Sequence, residues 1–368
     1  MYKKIVLVVL CCLFLCGCWD YNELTSHAHP FIIGFDVNND AEKYGNAKWV
    51  ITNIVAHPSE AESTGHDVQV FLLNEDPISH MAPWRVTVLP WDYGSTKGLI
   101  LGDSVAAGGI APIINEFLRD AAMRLTTYMA VAETHANDVL TQSSRFESSS
   151  KISAILDLVM NSTPYSMVTQ CSLYQFAHDY LNEGYTPALP VIAITKENRL
   201  EIVGTALFRG DVMVKKLGRE ASTWMNMLRE SKTNGFLMFK TDDSSGGVEF
   251  ECQRRVKTQI ENGIPIVTYK LAVSCTMRSI NGMQDILRMN DTSKAAEIEA
   301  AIERQLRAVL DEFFYTMQHV DKVDSINSLA FVLGKDRKTF SGRLDEIFPQ
   351  IQYKTEIDVK LSNFGELR

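Results

Sequence analysis

Leu15-Cys16-Gly17-Cys18 is the first stretch of this sequence whose residue types and spacing could do chemistry. A thiolate is a strong nucleophile. A cysteine behind a small residue, at the end of an apolar run, is the acceptor pattern for a diacylglyceryl group, and the stretch looks like a bacterial lipobox. Gly102-Asp103-Ser104 is the second stretch, with the residue types of an esterase nucleophile block. That chemistry needs an imidazole to take the serine proton and a carboxylate to orient the imidazole, with oxyanion donors nearby. None of His135, His178 or His319 has an Asp three residues ahead of it, and His135-Ala136-Asn137-Asp138 lacks the glycine of an oxyanion block. Asp103 or Ser104 is therefore read as the cap of a following helix. His27-Ala28-His29 offers two imidazoles, but no carboxylate or cysteine cluster beside them completes a metal set. That pair is read as a solvated N-terminal segment. Arg119-Asp120 with Arg124 falls at a helix end and reads as a structural ion pair or a partner contact. Asp242-Asp243, Glu249 and Glu251 read as solvated charge, and no glycine-rich phosphate cradle is present. The sequence points to no catalytic residue, no metal site and no cofactor.

The elements that position Cys18 are compact. Lys3 and Lys4 form a positive start, and Ile5 to Leu15 is an unbroken apolar run of eleven residues. A bilayer-spanning helix needs about 20 residues, so the run matches a secretory signal core. A plain signal peptide or a buried helix would also fit the run alone; the cysteine at its end favours the lipoprotein reading. Residues 1–17 are then a signal peptide and residues 18–30 a lipid-anchored tether. Two acyl chains hold a protein on a membrane stably where one does not. Trp19, Tyr21 and Trp91 are candidates for the aromatic belt at a lipid interface, Trp91 equally for a core.

Cleavage sorts the seven cysteines into three groups. Cys11, Cys12 and Cys16 leave, Cys18 carries lipid, and Cys171, Cys252 and Cys275 remain. Those three are far apart, odd in number and without metal-site spacing, so they read as buried structural thiols. Losing Lys3 and Lys4 takes the formal charge from −9 to −11. A chain of that sign does not grip nucleic acid. With 46% hydrophobic and 22% charged residues over 368 positions, it is a folded protein of ordinary composition with enough apolar side chain for a large core.

Periodicity gives the rest of the architecture. Strands are expected at 31–35, 48–56, 85–89, 98–101, 126–132, 190–195, 200–208, 212–217, 235–239, 248–256 and 264–276. Residues 57–83 read as a polar, turn-rich stretch with one apolar patch at 68–73. Helices are expected at 110–123, 148–160, 169–182, 219–229, from about 291 to 317, and as short pieces at 325–333 and 341–348. The long helix carries Ile298, Ile302, Leu306, Val309, Leu310, Phe313 and Met317 on one stripe without a sustained heptad, which makes it core-facing. The closing strand alternates cleanly from Ile351 to Leu361, as a half-buried strand of an antiparallel or mixed sheet does. Irregular mixing of strands and helices argues an α+β fold of more than one domain, with mixed or antiparallel sheets and packed helices. A boundary is expected near Lys196-Glu197-Asn198, giving an N-terminal α+β part at 31–197 and a C-terminal α+β domain at 198–368.

These residues together resemble a family. Cys18-Trp19-Asp20 with Glu23-Leu24, then Ile33-Gly34-Phe35-Asp36, then Leu101-Gly102 through Gly109-Ile110-Ala111-Pro112, Arg119-Asp120 and Arg124 match its order of motifs. In the second half Gly204-Thr205-Ala206-Leu207-Phe208 with Asp211, Leu333-Gly334 and the closing strand continue it. The sequence is similar to the Ger(x)C spore germination proteins, the lipoprotein C subunits of nutrient germinant receptors, over nearly the whole mature chain. Residues 74–97 and 221–229 depart from the family pattern, which bears on ligand or partner specificity. The resemblance implies a non-enzymatic subunit, lipidated at Cys18 on the outer face of the inner spore membrane. It would act with two membrane-embedded A and B subunits through assembly and signal transmission. Trp19, Asp20, Arg119, Asp120 and Arg124 are then candidates for partner or structural contacts. An extracytoplasmic substrate-binding lipoprotein is the alternative; it should show two similar lobes, and no such doubling is visible. An esterase at Ser104 is the third reading.

Overall fold

A computed structural model describes residues 29–56, 66–75, 91–143, 167–241, 245–281 and 292–363. The signal sequence, Cys18, Trp19, Asp20, the strand expected at 85–89 and the helix expected at 148–160 lie outside the described residues. Eight strands form the first sheet: β1 (Pro30–Val37), β2 (Trp49–Ala56), β3 (His66–Leu73), β4 (Gly98–Leu101), β5 (Tyr128–Ala132), β6 (Ala188–Ile194), β7 (Leu200–Arg209) and β8 (Val212–Gly218). Their order is β3-β2-β1-β4-β5-β6-β7-β8. The central four run parallel, and antiparallel pairs flank them on both sides. This arrangement explains the sequence pattern. Central parallel strands are covered on both faces, so Gly98–Leu101 and Ala188–Ile194 are apolar almost throughout.

The helices are α1 (Ala41–Tyr44), α2 (Asp103–Gly108), α3 (Ala111–Arg119), α4 (Ala136–Ser143), α5 (Leu173–Leu181), α6 (Arg219–Arg229), α7 (Thr292–Tyr315), α8 (Ser328–Lys335), α9 (Arg337–Phe340) and α10 (Leu344–Ile347). One face of the large sheet is covered by α2, α3 and α5 through Val105, Ile113, Ile114, Phe117, Leu173 and Phe176. The other face is covered by α4 through Ala136, Val139 and Leu140.

The second sheet follows α6. Strands β9 (Lys232–Lys240), β10 (Ser245–Glu261), β11 (Ile264–Asn281) and β12 (Gln352–Asn363) lie in the order β12-β11-β10-β9. A tight turn joins β10 to β11 through Asn262 and Gly263, both at positive φ, which is the backbone a two-residue hairpin turn needs. The closing strand pairs parallel to β11, so the sheet is mixed. Its alternation holds: Ile357 and Val359 are buried, while Lys354, Glu356, Asp358 and Lys360 are exposed. The stripe of α7 packs here, with Ile298, Ile302, Leu306, Leu310, Phe313 and Met317 in one core with β10–β12. The α+β, multi-domain, mixed-sheet expectation is met.

Several sequence expectations need correction. The apolar patch at 68–73 is an edge strand, not a loop feature: Phe71 and Leu73 pack on the core while Val70 and Leu72 face outward. The helix expected at 110–123 is α3, which ends at Arg119; the separate short helix α2 precedes it across Gly109, whose φ of +101° suits glycine. Helix α4 is additional. The helix expected from 169 starts at Leu173, because Ser172 and Gln175 form a reciprocal capping box there. Neither Asp103 nor Ser104 caps α2; Gly102 is the cap residue and makes no side-chain bond. The turn at 196–198 joins β6 to β7 as an antiparallel pair, so the large sheet runs across the expected boundary and ends only at β8.

Gly204 is fixed by the pairing of β7 with β8. A Cβ there would stand 1.9 Å from the carbonyl oxygen of Leu217. That atom is backbone within a sheet and has nowhere to move. Gly204→Ala is expected to destabilise at or above the upper end of about 1–3 kcal/mol for an overpacked core position. Urea unfolding checks this, and a loss within experimental error would mean the β7–β8 register is looser than described.

Candidate functional site

The motif residues of the sequence converge, and what they build is structural. Asp36 is the penultimate residue of β1 and is buried. Its carboxylate accepts from the backbone N–H groups of Ala136 (2.8 Å) and Asn137 (2.7 Å), the first two residues of α4. His135 Nδ1 stands 3.8 Å away. Asn137 Nδ2 donates to Thr52 Oγ1 on β2 at 2.8 Å. The N-terminus of a helix carries unpaired donors and partial positive charge, and Asp36 supplies the acceptor from another strand. Burial pushes its carboxyl up from the ordinary value, against the pull of the two N–H bonds and His135. Gly102 is held open for it: a Cβ would lie 2.1 Å from Asp36 Oδ1.

A second cap joins two motif groups a hundred residues apart. The turn after β7 brings Asp211 to the start of α3, where Oδ2 accepts from Ala111 N at 3.0 Å and the backbone carbonyl accepts from Ile110 N at 3.1 Å. Gly109 again leaves room, since a Cβ would meet Asp211 Oδ2 at 2.8 Å. Asp324 repeats the device in the second half. It is buried and accepts from Ser328 N, Ser328 Oγ and Leu329 N at the start of α8. Burial pushes its carboxyl up as well.

The residues that suggested chemistry are placed as follows. Ser104 Oγ accepts from Asn39 Nδ2 at 2.8 Å, and among the described residues no histidine bonds to it. Asp103 is 2.6 Å from Lys216 Nζ. His29 is not a solvated residue: it is 9% exposed, with Nδ1 3.5 Å from Asp92. Among the described residues no group of three metal-binding side chains exists. Glu249 pairs with Arg278 at the surface. Trp91 packs edge-on to Phe71 (5.1 Å between centroids) and Tyr93 (6.1 Å), which makes it part of the core margin. Cys171, Cys252 and Cys275 are buried, and burial pushes each thiol up to about 12. They are inert packing residues at neutral pH.

Arg119, Asp120 and Arg124 do not form the expected ion pair. Both arginines are exposed. Asp120 Oδ1 accepts from Ala122 N at 2.8 Å, closing a turn.

Two recesses lie beyond these motifs, and both flank α6. One, about 420 Å³, is apolar and lined by Trp224, Phe236, Met238, Ile302, Leu306 and Val309. The other, about 340 Å³, is polar and lined by Gln170, Tyr174, His178, Asp179, Arg229 and Asn327. Arg229 dominates the second. It is 10% exposed and donates to Asp179 Oδ2 (2.5 Å), Thr186 O (2.9 Å) and Ser325 O (3.4 Å). Asn327 Oδ1 accepts from Thr186 N across the same junction. The segment 221–229, which departs from the family pattern, turns out to be packing: Trp224, Met225, Met227 and Leu228 are buried in the second core.

Helix caps, glycine clearances and a junctional guanidinium define a scaffold whose described polar clusters hold segments together. Comparison with known proteins gives it a family. A family model described as "Spore germination protein N-terminal domain" matches residues 88–194, and one described as "Spore germination B3/ GerAC like, C-terminal" matches residues 203–365. The gap between the two matches holds the 196–198 turn. The chain is 21% identical to spore germination protein B3 of Bacillus subtilis (strain 168) over 372 residues, covering 96% of this chain and 95% of that protein. It is 20% identical to spore germination protein GerQC of Bacillus cereus, covering 75% and 76% respectively. Its fold is similar to the crystal structure of the GerBC protein, with a TM-score of 0.58, 18% identity and coverage of 94% of this chain and 100% of that one. The chain belongs to the GerAC-like family of spore germination proteins, the C subunits of germinant receptors.

Proposed function

We propose that this chain works as a lipid-anchored receptor subunit. Cys18 carries the diacylglyceryl group. The body stands on the outer face of the inner spore membrane, and its surfaces assemble with membrane-embedded A and B subunits to pass on the germination signal. The observation that carries this reading is the short distance from thiol to fold. Only eleven residues lie between Cys18 and Pro30, where β1 begins. Fully extended, they reach roughly 40 Å, so an anchored body stays within reach of membrane-embedded partners. Attachment through lipid also suits the described helices, none of which is long and apolar enough to cross a membrane.

Cys18→Ala is expected to abolish palmitate labelling of the chain and move it from the membrane to the soluble fraction. Labelling that persists would remove the anchor from Cys18. Affinity purification of the wild-type chain from detergent-solubilised spore membranes is expected to recover multi-spanning A and B subunits. Recovery of the chain alone would argue against a stable receptor complex.

A further inference from the structure

The end of the large sheet where β1 begins is tied together by hydrogen bonds between neighbouring strand entries. Thr96 Oγ1 donates to Pro30 O at 2.8 Å and Lys97 N donates to Phe31 O at 2.8 Å. Thr127 Oγ1 donates to Thr96 O at 2.9 Å, and Tyr128 N to Lys97 O at 2.9 Å. The first turn of α5 joins the same end, with Leu173 N bonded to Thr127 O and Tyr174 N to Leu125 O. The loop at 119–127 is therefore seated at the same end of the sheet as the tether, one strand over across β4.

That loop is pinned, and it displays an unusual set of side chains. Its turn is closed by Ala122 N on Asp120 Oδ1, Met123 N on Asp120 O and Thr127 N on Arg124 O, with Met123 buried beneath. Leu125 nevertheless stays 46% exposed and neighbouring Tyr174 58% exposed. Arg119 and Arg124 are exposed on the same loop, and exposed Lys97, at the same end of the sheet, lies 5.8 Å from the centroid of the Phe31 ring. Of the nearby carboxylates, Asp120 is bonded to its own turn and Asp92 stands beside His29, while Glu116 lies one turn back on α3. In a chain of net charge −9, three outward cations around an apolar pair form a local reversal of sign. Cations ringing apolar and aromatic side chains suit the boundary between lipid headgroups and acyl chains.

Tether length selects the lipid surface as the occupant. The eight residues of β1 span roughly 26 Å, so turning the opposite end of the sheet to the membrane would use about two-thirds of the roughly 40 Å reach of the tether. We propose that the 119–127 loop and Tyr174 dock on an anionic bilayer, with Lys97, Arg119 and Arg124 against lipid phosphates and Leu125 and Tyr174 entering the headgroup boundary. This inference rests on the anchor at Cys18.

The test uses the full lipidated chain in mixed phosphatidylcholine–phosphatidylglycerol vesicles, with an environment-sensitive fluorophore on Leu125→Cys or on Glu197→Cys. Position 197 lies in the exposed 196–198 turn beyond the other end of β6, and the three native thiols are buried. Vesicle flotation is measured in the same samples. Expected are flotation of both proteins, and a blue shift with quenching by headgroup-labelled and shallow acyl-labelled lipids at 125 but not at 197. Arg119→Ala and Arg124→Ala should each lower the docked-to-undocked ratio about fivefold, while flotation is kept. A chain that floats with position 125 still in water overturns docking while leaving the anchor intact. Protection at 125 that appears only when membrane subunits are reconstituted gives the loop to a protein and also overturns it. A chain that does not float overturns the anchor, and docking with it.

Discussion

Arg229→Ala is expected to lower the unfolding free energy by about 3–5 kcal/mol, the range for breaking a buried ion pair from one side. The magnitude follows from what the guanidinium leaves behind. Asp179 on α5 is 14% exposed at its side chain and would lose its cation. The carbonyls of Thr186 and Ser325 would lose a donor in the same step. These three partners belong to segments far apart in sequence: the first sheet's helix α5, the strand-entry loop before β6, and the stretch between α7 and α8. Arg229 sits at the end of α6 and bonds to all of them at once. A planar fork with five donors can do this, and an ammonium cannot. Arg229→Lys should therefore recover only part of the loss. Asp179→Leu combined with Arg229→Met should cost less than Arg229→Ala alone, because no charge is left stranded. Chemical denaturation of the four proteins measures the series. A loss below about 1 kcal/mol for Arg229→Ala, the value of an exposed pair, would show that the junction opens to water.

Asp36→Ala is expected to cost about 2–4 kcal/mol. Two charge-assisted bonds to the start of α4 disappear, and the freed N–H groups of Ala136 and Asn137 are buried without an acceptor. Gly102→Ala strikes the same cap from behind, because the new methyl would displace Asp36 Oδ1. The two substitutions share one mechanism, so the double variant should fall well short of the sum. Additive losses would separate Gly102 from the cap and give it an independent role. Hydrogen exchange should show faster opening of α4 in each single variant.

Legibility in the sequence followed the range of the signal. Helix α6 and strands β7, β8 and β12 were readable because their periodicity and end signals are local. Helix α4 was not, since Ala136–Ser143 is short and its cap acceptor lies a hundred residues earlier at Asp36. The edge strand β3 hid in polar surroundings, because half of an edge strand faces water. Motif matching marked Asp36, Gly102, Gly109 and Asp211 as a family pattern. Only the folded chain shows that they pair as two caps with their clearances. Arg229 and Asp179 carry no local mark at all, and their pairing is purely tertiary. The Arg119–Asp120–Arg124 cluster was found by type, but adjacency in sequence suggested a pair that the turn geometry does not form.

The division between the two sheets has a consequence for the order in which the chain is built. Every residue of the two cores built on the large sheet alone lies before Gly218, while Ala188, Leu207 and Leu217 of that sheet pack with the second sheet's core. The strands of that sheet are all present once β8 has emerged, while the remainder is still being synthesised. The second core includes Val359 and packs Leu361 against it, so it closes only when the last strand slots in beside β11. Synthesis from the N-terminus thus delivers the large sheet first, and a chain cut short before residue 352 would leave the apolar face of α7 without the strand β12 it packs on. Such a product exposes apolar surface of the kind that chaperones and proteases recognise, which makes the final strand the step that completes the second core.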